Sequence, residues 1–438
     1  MSERRGPAHP RAGWRGRVAD QAAVAAHLAR WVVLGAASGA LAGVASWGFL
    51  EALERATDAR LAHPWLLFLL PVAGAAIGVV HHRWAGRAAA GSALLLDEIH
   101  TPSAWVPRRM APLVFAGTVA SHLFGASVGR EGTALQMSGS LTDLLSRTLR
   151  LGPADRRILL ITALAGGFGS VFGVPLAGAV FALEVQAVGR VRHEALLPAL
   201  TASIVGDLVV GGLGHHHPLR PPLDLPVDGV VLARVAVAGI AFGLVATAFS
   251  AATRLVASVA ARWIAWPPAR LVAGGVATVG LTLLVGRDEL GLSLPLVDQA
   301  LAGVDPGPWT FAAKLAFTAL ALGSGFPGGE VTPLFVIGAT LGGALAGPLD
   351  LPTAALAAVG FVAVFAGAAN TPLACTIMGV ELFGAGAVLP VAVGCVVAYV
   401  TSGHRGIYPS QRIEAAKGPH VVEGFPTVAE WHRRRGDR

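Results

Sequence analysis

The chain has 438 residues, of which 54% are hydrophobic and only 13% charged, about half the charge of a soluble domain. That composition excludes a soluble enzyme or a disordered regulator and points to repeated passage through a lipid bilayer. A net charge of +7 would suggest nucleic acid for a soluble protein, but the basic residues gather at the chain ends, so no nucleic-acid partner is expected.

In chain order, a basic segment comes first, residues 1–29, with Arg4, Arg5, Arg11, Arg15 and Arg17. The apolar window Trp31–Leu50 follows directly, without the short apolar core and cleavage pattern of a removable signal. Pro64–Val80, Ala111–Ser127 and Ala195–Leu213 continue a first membrane region, residues 30–213. A Pro- and His-rich loop, residues 214–228, then separates it from a second region, residues 229–411. That region carries Val230–Thr253, Leu271–Gly286, Phe311–Gly325 and Ala387–Thr401. Several windows fall short of the roughly 20 residues of a straight span, which predicts an all-α membrane fold with tilted, broken or half-crossing helices. A short polar tail, residues 412–438, ends with Arg433, Arg434, Arg435 and Arg438. Basic residues at both ends put both termini in the cytoplasm and make the number of full crossings even.

Within the loop, His215, His216 and His217 are either a metal site or an exposed polar stretch, and the latter is the expectation. Cys375 and Cys395 both lie in apolar runs, so neither a disulfide framework nor a Cys-based zinc site is implied. No cofactor or metal is expected.

The two regions match each other. GREGTALQMSG from Gly129 aligns with GGEVTPLFVIG from Gly328, and VPLAGAVFALE from Val174 aligns with TPLACTIMGVE from Thr371. Glu131 and Glu330 stand 199 residues apart, Glu184 and Glu381 197, so both pairs keep one register. Duplicated halves with the site at their interface are the architecture of many secondary transporters and related channels.

Each copy opens with a Gly-rich segment, FGASVG or LGSGFPGG, followed by Glu, Thr and an apolar run fit for a helix. Thr133 or Thr332 suits a cap or first turn, and Pro333 suits a first helical position. Irregular backbone at membrane depth persists only where protein buries it or a water-filled cavity adjoins it, so these breaks are expected to line a pathway. The first N–H groups of a helix lack internal partners and carry about half a positive charge. Two such ends aimed at one place form an anion site without a bare cation. AGSALLLDEIH offers a third end, where Gly91 frees the backbone and the Ser92 hydroxyl can donate a hydrogen bond.

Glu131 then has a role: its carboxylate takes the anion's seat, and protonation vacates it. The plainer alternative is that Glu131 pairs with Arg130 or simply starts its helix. Glu330 either shares the first role or only favours its helix start. For Glu184 and Glu381, toward helix ends, a structural contact is expected. Lys314, inside an apolar span, either snorkels or pairs with a buried carboxylate.

These residues resemble the CLC family of chloride channels and anion/proton antiporters, over about Trp31 to Gln411. The elements carrying the likeness are Gly125-x-x-x-Gly129-x-Glu131-Gly132, GSGFPGGEVTP from Gly323 to Pro333, the two Pro-Leu-Ala segments, the weaker GSALL at Gly91 to Leu95, and Tyr408 after the last span. The resemblance implies an inverted-repeat homodimer with one anion pathway per subunit. It implies Glu131 as gating glutamate and proton carrier. Backbone N–H groups at Arg130 to Gly132 and at Glu330, Val331 and Thr332 would face the anion, with Tyr408 on the inner side and Ser92 as a coordinating serine.

Departures bear on the substrate. Thr133 replaces the proline of the family's usual GREGP, and Val185 stands where many antiporters carry a second proton glutamate. This combination resembles the fluoride-exporting branch, while Ser92 matches the chloride proteins. Three readings follow: a halide/proton antiporter, with fluoride expected before chloride; a passive anion channel on the same fold; and an intramembrane enzyme using Glu131 and Glu184. The last is disfavoured because no metal-ligand spacing or Ser/His nucleophile arrangement accompanies the carboxylates. The expected partners are a small anion, protons, the bilayer and a second copy of the chain.

Overall fold

The structure is a computed structural model that describes residues 14–218, 220–223, 225, 227–418 and 424–435, with backbone alone for 14–19 and 435. Arg4, Arg5, Arg11 and Arg438, and the side chains of Arg15, Arg17 and Arg435, lie outside the described residues.

Helices dominate. The first half contains α1 (Trp14–Ala62), α2 (Leu70–Trp84), α3 (Ser92–His100), α4 (Met110–Leu123), α5 (Glu131–Thr148), α6 (Pro153–Phe172), α7 (Pro175–Glu184) and α8 (Leu196–Gly212). The second contains α9 (Gly229–Trp263), α10 (Pro267–Val285), α11 (Leu294–Leu301), α12 (Thr310–Ser324), α13 (Val331–Ala346), α14 (Thr353–Ala369), α15 (Pro372–Phe383) and α16 (Val388–Thr401). The tail adds α17 (Val428–Arg435) and a two-residue strand, β2 (Arg412–Ile413), parallel to β1 (Ala187–Val188).

By length and composition, the helical stretches Asp20–Ala62, Pro64–Trp84, His193–Gly212, Gly229–Trp263 and Pro267–Val285 are long and apolar enough to cross a membrane. They coincide with five of the eight apolar windows. The other three fall on shorter helices, α4, α12 and α16. Prolines at the first positions of α6, α7, α10 and α15 fix where those helices start, since a missing N–H costs nothing there.

Without a hydrophobic force between helices in lipid, close packing rests on small residues. Gly39 of α1 meets α8 so closely that a Cβ would sit 2.4 Å from the Ala202 carbonyl oxygen. The halves join through a buried aromatic stack. Phe168 and Phe181 of the first half lie 4.2 Å apart, Phe335 and Phe361 of the second lie 4.2 Å apart, and Phe365 stacks at 5.9 Å on Phe181.

The duplication is visible as α5–α8 repeated by α13–α16. Two exchanges tie the copies together. Glu184, ending α7, accepts from the N–H groups of Leu373 and Ala374 at 3.1 and 2.9 Å, at the start of α15. Glu381 accepts from Leu176 and Ala177 at 2.8 and 2.7 Å, at the start of α7. Matched groups that satisfy each other in this reciprocal way are related by a two-fold, as inverted repeats require.

Candidate functional site

The Gly-rich breaks meet. Gly129 N donates to Gly329 O at 2.6 Å and Gly329 N to Gly129 O at 2.8 Å, so the two copies touch through matched residues just before α5 and α13 begin. Glycine is required here because a Cβ on Gly329 would lie 2.7 Å from Gly132 N and 3.1 Å from Glu131 Oε2.

Glu131 opens α5 with its side chain wholly buried. Its carboxylate accepts from Thr332 N at 3.0 Å, from the Thr332 hydroxyl and from Arg130 N at 3.2 Å. The Arg130 guanidinium is farther, with Nε at 3.8 Å from Oε1. Peptide and hydroxyl donors at the start of α13 therefore hold the carboxylate, and the sequence-adjacent ion pair is the weaker contact. A negative group at a helix N-terminus is favoured by the unpaired amides and the helix dipole.

Two cavities that share no lining residue reach the neighbours of this carboxylate, Thr332 in one and Thr133 and Glu330 in the other, and it lines neither. One, about 640 Å³, reaches down to Thr332 from the loop that joins α8 to α9. The other, about 370 Å³, is bordered by Ser92, Thr133, Gln136, Glu330 and Tyr408. Gly91, at φ +59°, turns the chain into α3 so that Ser92 begins that helix at the second cavity. Three helix beginnings, of α3, α5 and α13, thus converge where a chain of apolar helices is interrupted.

Gly132 stands against the other copy, where a Cβ would meet Gly329 Cα at 3.1 Å. Val331 and Thr332 are buried at the start of α13. Thr133 lies in the first turn of α5, one of the two places expected of it; it caps nothing, and its hydroxyl bonds that of Thr118 at 2.6 Å. Neither α5 nor α13 has a side-chain cap. Glu330 faces the Tyr408 cavity. Val185 is buried, and its carbonyl accepts from Gln411 Nε2 at 2.8 Å.

Lys314 meets neither sequence expectation. It is fully buried, and its ammonium donates to the carbonyls of Glu289 and Gly291 at 2.9 and 2.8 Å and to Ser293 Oγ at 2.9 Å. A loop ahead of α11, not a carboxylate or the membrane surface, satisfies it. The histidine run also departs from a plain exposed loop. His215 and His217 are half-buried against the first cavity, with His216 exposed. Among the described residues, no group of three His, Cys, Asp or Glu side chains is arranged to hold a metal.

Sequence reasoning missed Gln136, whose amide points to Ser92 Oγ at 3.5 Å from inside α5. A lone amide in the small and apolar run GTALQMSG was the available signal. It also missed Gln411 and Asn370, joined by a 2.8 Å hydrogen bond behind the pathway; nothing in their local sequence marks them.

The sequence profile described as "Voltage gated chloride channel" matches residues 73–403. A "Chloride/fluoride channel protein" of Pseudomonas syringae pv. tomato is 46% identical over 400 residues, covering 89% of this chain and 88% of its own. The crystal structure of a CLC-type fluoride/proton antiporter superposes with a TM-score of 0.86 at 32% identity, over 88% of this chain and 98% of that one. A slow cyanobacterial Cl-/H+ antiporter shares the fold, with a TM-score of 0.75 at 21% identity over 85% of this chain and 94% of its own. With the profile spanning most of the chain and the paired helix starts in place, the protein is a membrane protein belonging to the voltage gated chloride channel family.

Proposed function

We propose that the protein exchanges fluoride for protons across the membrane, with Glu131 as both gate and proton carrier. The observation that carries this reading is the Glu131 carboxylate resting on the Thr332 amide and hydroxyl, with Thr332 bordering one cavity and the adjacent Thr133 and Glu330 the other. A carboxylate satisfied by donors of that kind occupies a seat that fits a small anion equally well. Protonation removes its charge and turns one oxygen into a donor, so the neutral side chain leaves the seat and the anion takes the amides. Return of the anionic side chain expels the halide, and each swing moves one proton.

Fluoride holds its water tightly, and a site that strips it must supply hydrogen bonds in place of the shell. Thr332 offers both its amide and its hydroxyl at one point, whereas the Thr133 hydroxyl is already engaged by Thr118. The similar chain named for chloride and fluoride and the fluoride/proton antiporter structure support the same choice. One observation favours chloride/proton exchange instead: the Ser92 hydroxyl borders the Tyr408 cavity. Passive chloride conduction is the reading left if Val185, with no carboxylate, breaks the proton route.

We assign the tail-bearing face, with Tyr408, to the cytoplasm on the strength of the basic chain ends. Residues 30–213 and 229–411 act as the two halves, residues 214–228 as their outer link, and two copies form a homodimer with a pathway each.

The test is purified protein in liposomes under opposed fluoride, chloride and proton gradients. Wild type is expected to drive protons uphill on a fluoride gradient, and Glu131→Gln to lose that movement. Proton flux in Glu131→Gln equal to wild type removes Glu131 as carrier. Coupling to chloride but not fluoride selects the second reading, and halide flux without protons in wild type selects the third.

A further inference from the structure

The cavity that reaches Thr332 lies beside a second one of about 480 Å³, between α1 and the segment ahead of α11, and neither is bordered by Tyr408. Arg130, His215, His216, His217 and Arg220 border both, so the loop between α8 and α9 crosses the mouth of the pathway as a strap. Its path is fixed. A ring nitrogen of His217 bonds the Ser170 carbonyl at 3.2 Å, near the end of α6. The same ring covers Gly173, where a Cβ would lie only 2.4 Å away. His215 meets His217 edge-on at 5.4 Å, and Arg220 pairs with Asp298 of α11.

Some of the charges around the strap have partners. Glu381 of α15 is taken by the amides of Leu176 and Ala177. Asp207 of α8 stands 3.9 Å from His217 Nε2. The wall of the second cavity mixes Glu54, Asp58 and Arg60 of α1 with Arg287 and Asp288. Arg60 and Arg130 each have a buried Nε without a hydrogen-bond partner, and of the two only Arg130 borders both cavities, with Glu131 3.8 Å away and the Phe172 ring at 5.7 Å. Burial and the Arg130 charge push His217 down to about 4, and the same two causes lower His215. Both rings are neutral at neutral pH, and in acid they add positive charge beside Arg130.

We propose that the His215–His217 strap and Arg130 form a capture site for a small anion at this mouth, separate from the Glu131 seat, whose hold tightens as the histidines take up protons. Anion and proton then bind there reciprocally. If a bound halide raises the histidine pKa by one unit, protonation raises halide affinity by about tenfold. Through this link the acidity of the medium on the strap side sets how readily halide is held at, or released from, the mouth. The inference rests on halide reaching Glu131 from this side.

The test is histidine NMR on full-length protein in lipid nanodiscs, titrated with acid in sodium fluoride, sodium chloride and sodium gluconate. His217 is expected to titrate about one unit higher in at least one halide than in gluconate, and the difference to vanish in Arg130→Gln. In liposomes, acid on the strap side is expected to lower the halide KM of wild type by about tenfold, and not that of His215→Gln/His217→Gln. His82→Gln, exposed on α2 and bordering neither cavity, is expected to behave as wild type. Histidine titrations indifferent to both halides, in protein whose proton-coupled transport is intact, overturn the capture site. A halide-dependent shift in protein that transports no halide keeps the site and overturns the transport reading instead.

Discussion

At the scale of single residues, the decisive contact is between Glu131 and Thr332, which stand 201 positions apart. Thr332 supplies two donors to one carboxylate, and they can be separated by substitution. Thr332→Val keeps the shape and the amide while deleting the hydroxyl. A hydrogen bond to a charged group contributes about 1.5–3 kcal/mol, so the closed position of Glu131 is expected to weaken by roughly tenfold or more. The measurement is simultaneous halide and proton flux. If Glu131 gates the pathway as proposed, protons per halide should fall in Thr332→Val because halide slips past it, whereas an unchanged ratio means the amide alone holds the carboxylate. Thr332→Ser, which restores the hydroxyl, should restore coupling.

At the scale of elements, the exchange between α7 and α15 accounts for Glu184 and Glu381, the second of which also borders the first cavity. Each helix carries a glutamate in its last turn that satisfies the first free amides of the other. Replacing either carboxylate by an amide leaves one acceptor oxygen for two N–H groups and removes the favourable charge. Glu184→Gln and Glu381→Gln are each expected to cost about 1–3 kcal/mol of stability, read as lowered thermal midpoints in detergent. The two capping sites lie at opposite ends of helices of 10 and 12 residues, about 15 Å apart, so the double variant should lose the sum. A double variant no worse than either single one would mean that the helices separate when one cap is lost.

The same elements show what was legible in the sequence. Register between matched segments, Gly-rich breaks and apolar window lengths were enough for an all-α duplicated membrane fold, because each is a local pattern that a bilayer enforces. Glu131 stood out as a charge in an apolar run. Its partner did not, since Thr332 reads equally well as helix-start chemistry and becomes a donor to Glu131 only when the halves meet. Lys314 was misread for a related reason: its acceptors are two carbonyls 25 and 23 residues away and a serine hydroxyl 21 away, all in one loop, and carbonyls leave no trace in residue type. Glu184 and Glu381 were visible as acids near helix ends, but their exchange needs the two-fold.

For the whole molecule, Gln411, where the second region ends and the tail begins, adds a further tie between the duplicated halves. Gln411 is fully buried and donates from one amide nitrogen to Val185 O in the first half, at 2.8 Å, and to Ala369 O in the second, at 3.1 Å. Its oxygen accepts from Asn370, and its own N–H is bonded to the carbonyl of Tyr408. Beyond it, β2 lies along β1, and the Lys417 ammonium is held over the Tyr399 ring at 3.8 Å, bonded to the Tyr399 carbonyl and to Asn370. Gln411→Leu nearly preserves volume but leaves two carbonyls and one amide buried without partners, each at about 1–3 kcal/mol. A loss of roughly 3 kcal/mol or more is therefore expected, together with slower halide flux, because the bonded backbone that fixes Tyr408 is loosened. Lys417→Met touches the same tail without touching the carbonyls of Val185 and Ala369, so it should expose the tail to protease while leaving flux nearer to wild type. If both variants slow flux equally, tail docking as a whole positions Tyr408; if only Gln411→Leu does, the single amide joining the halves is the part that matters.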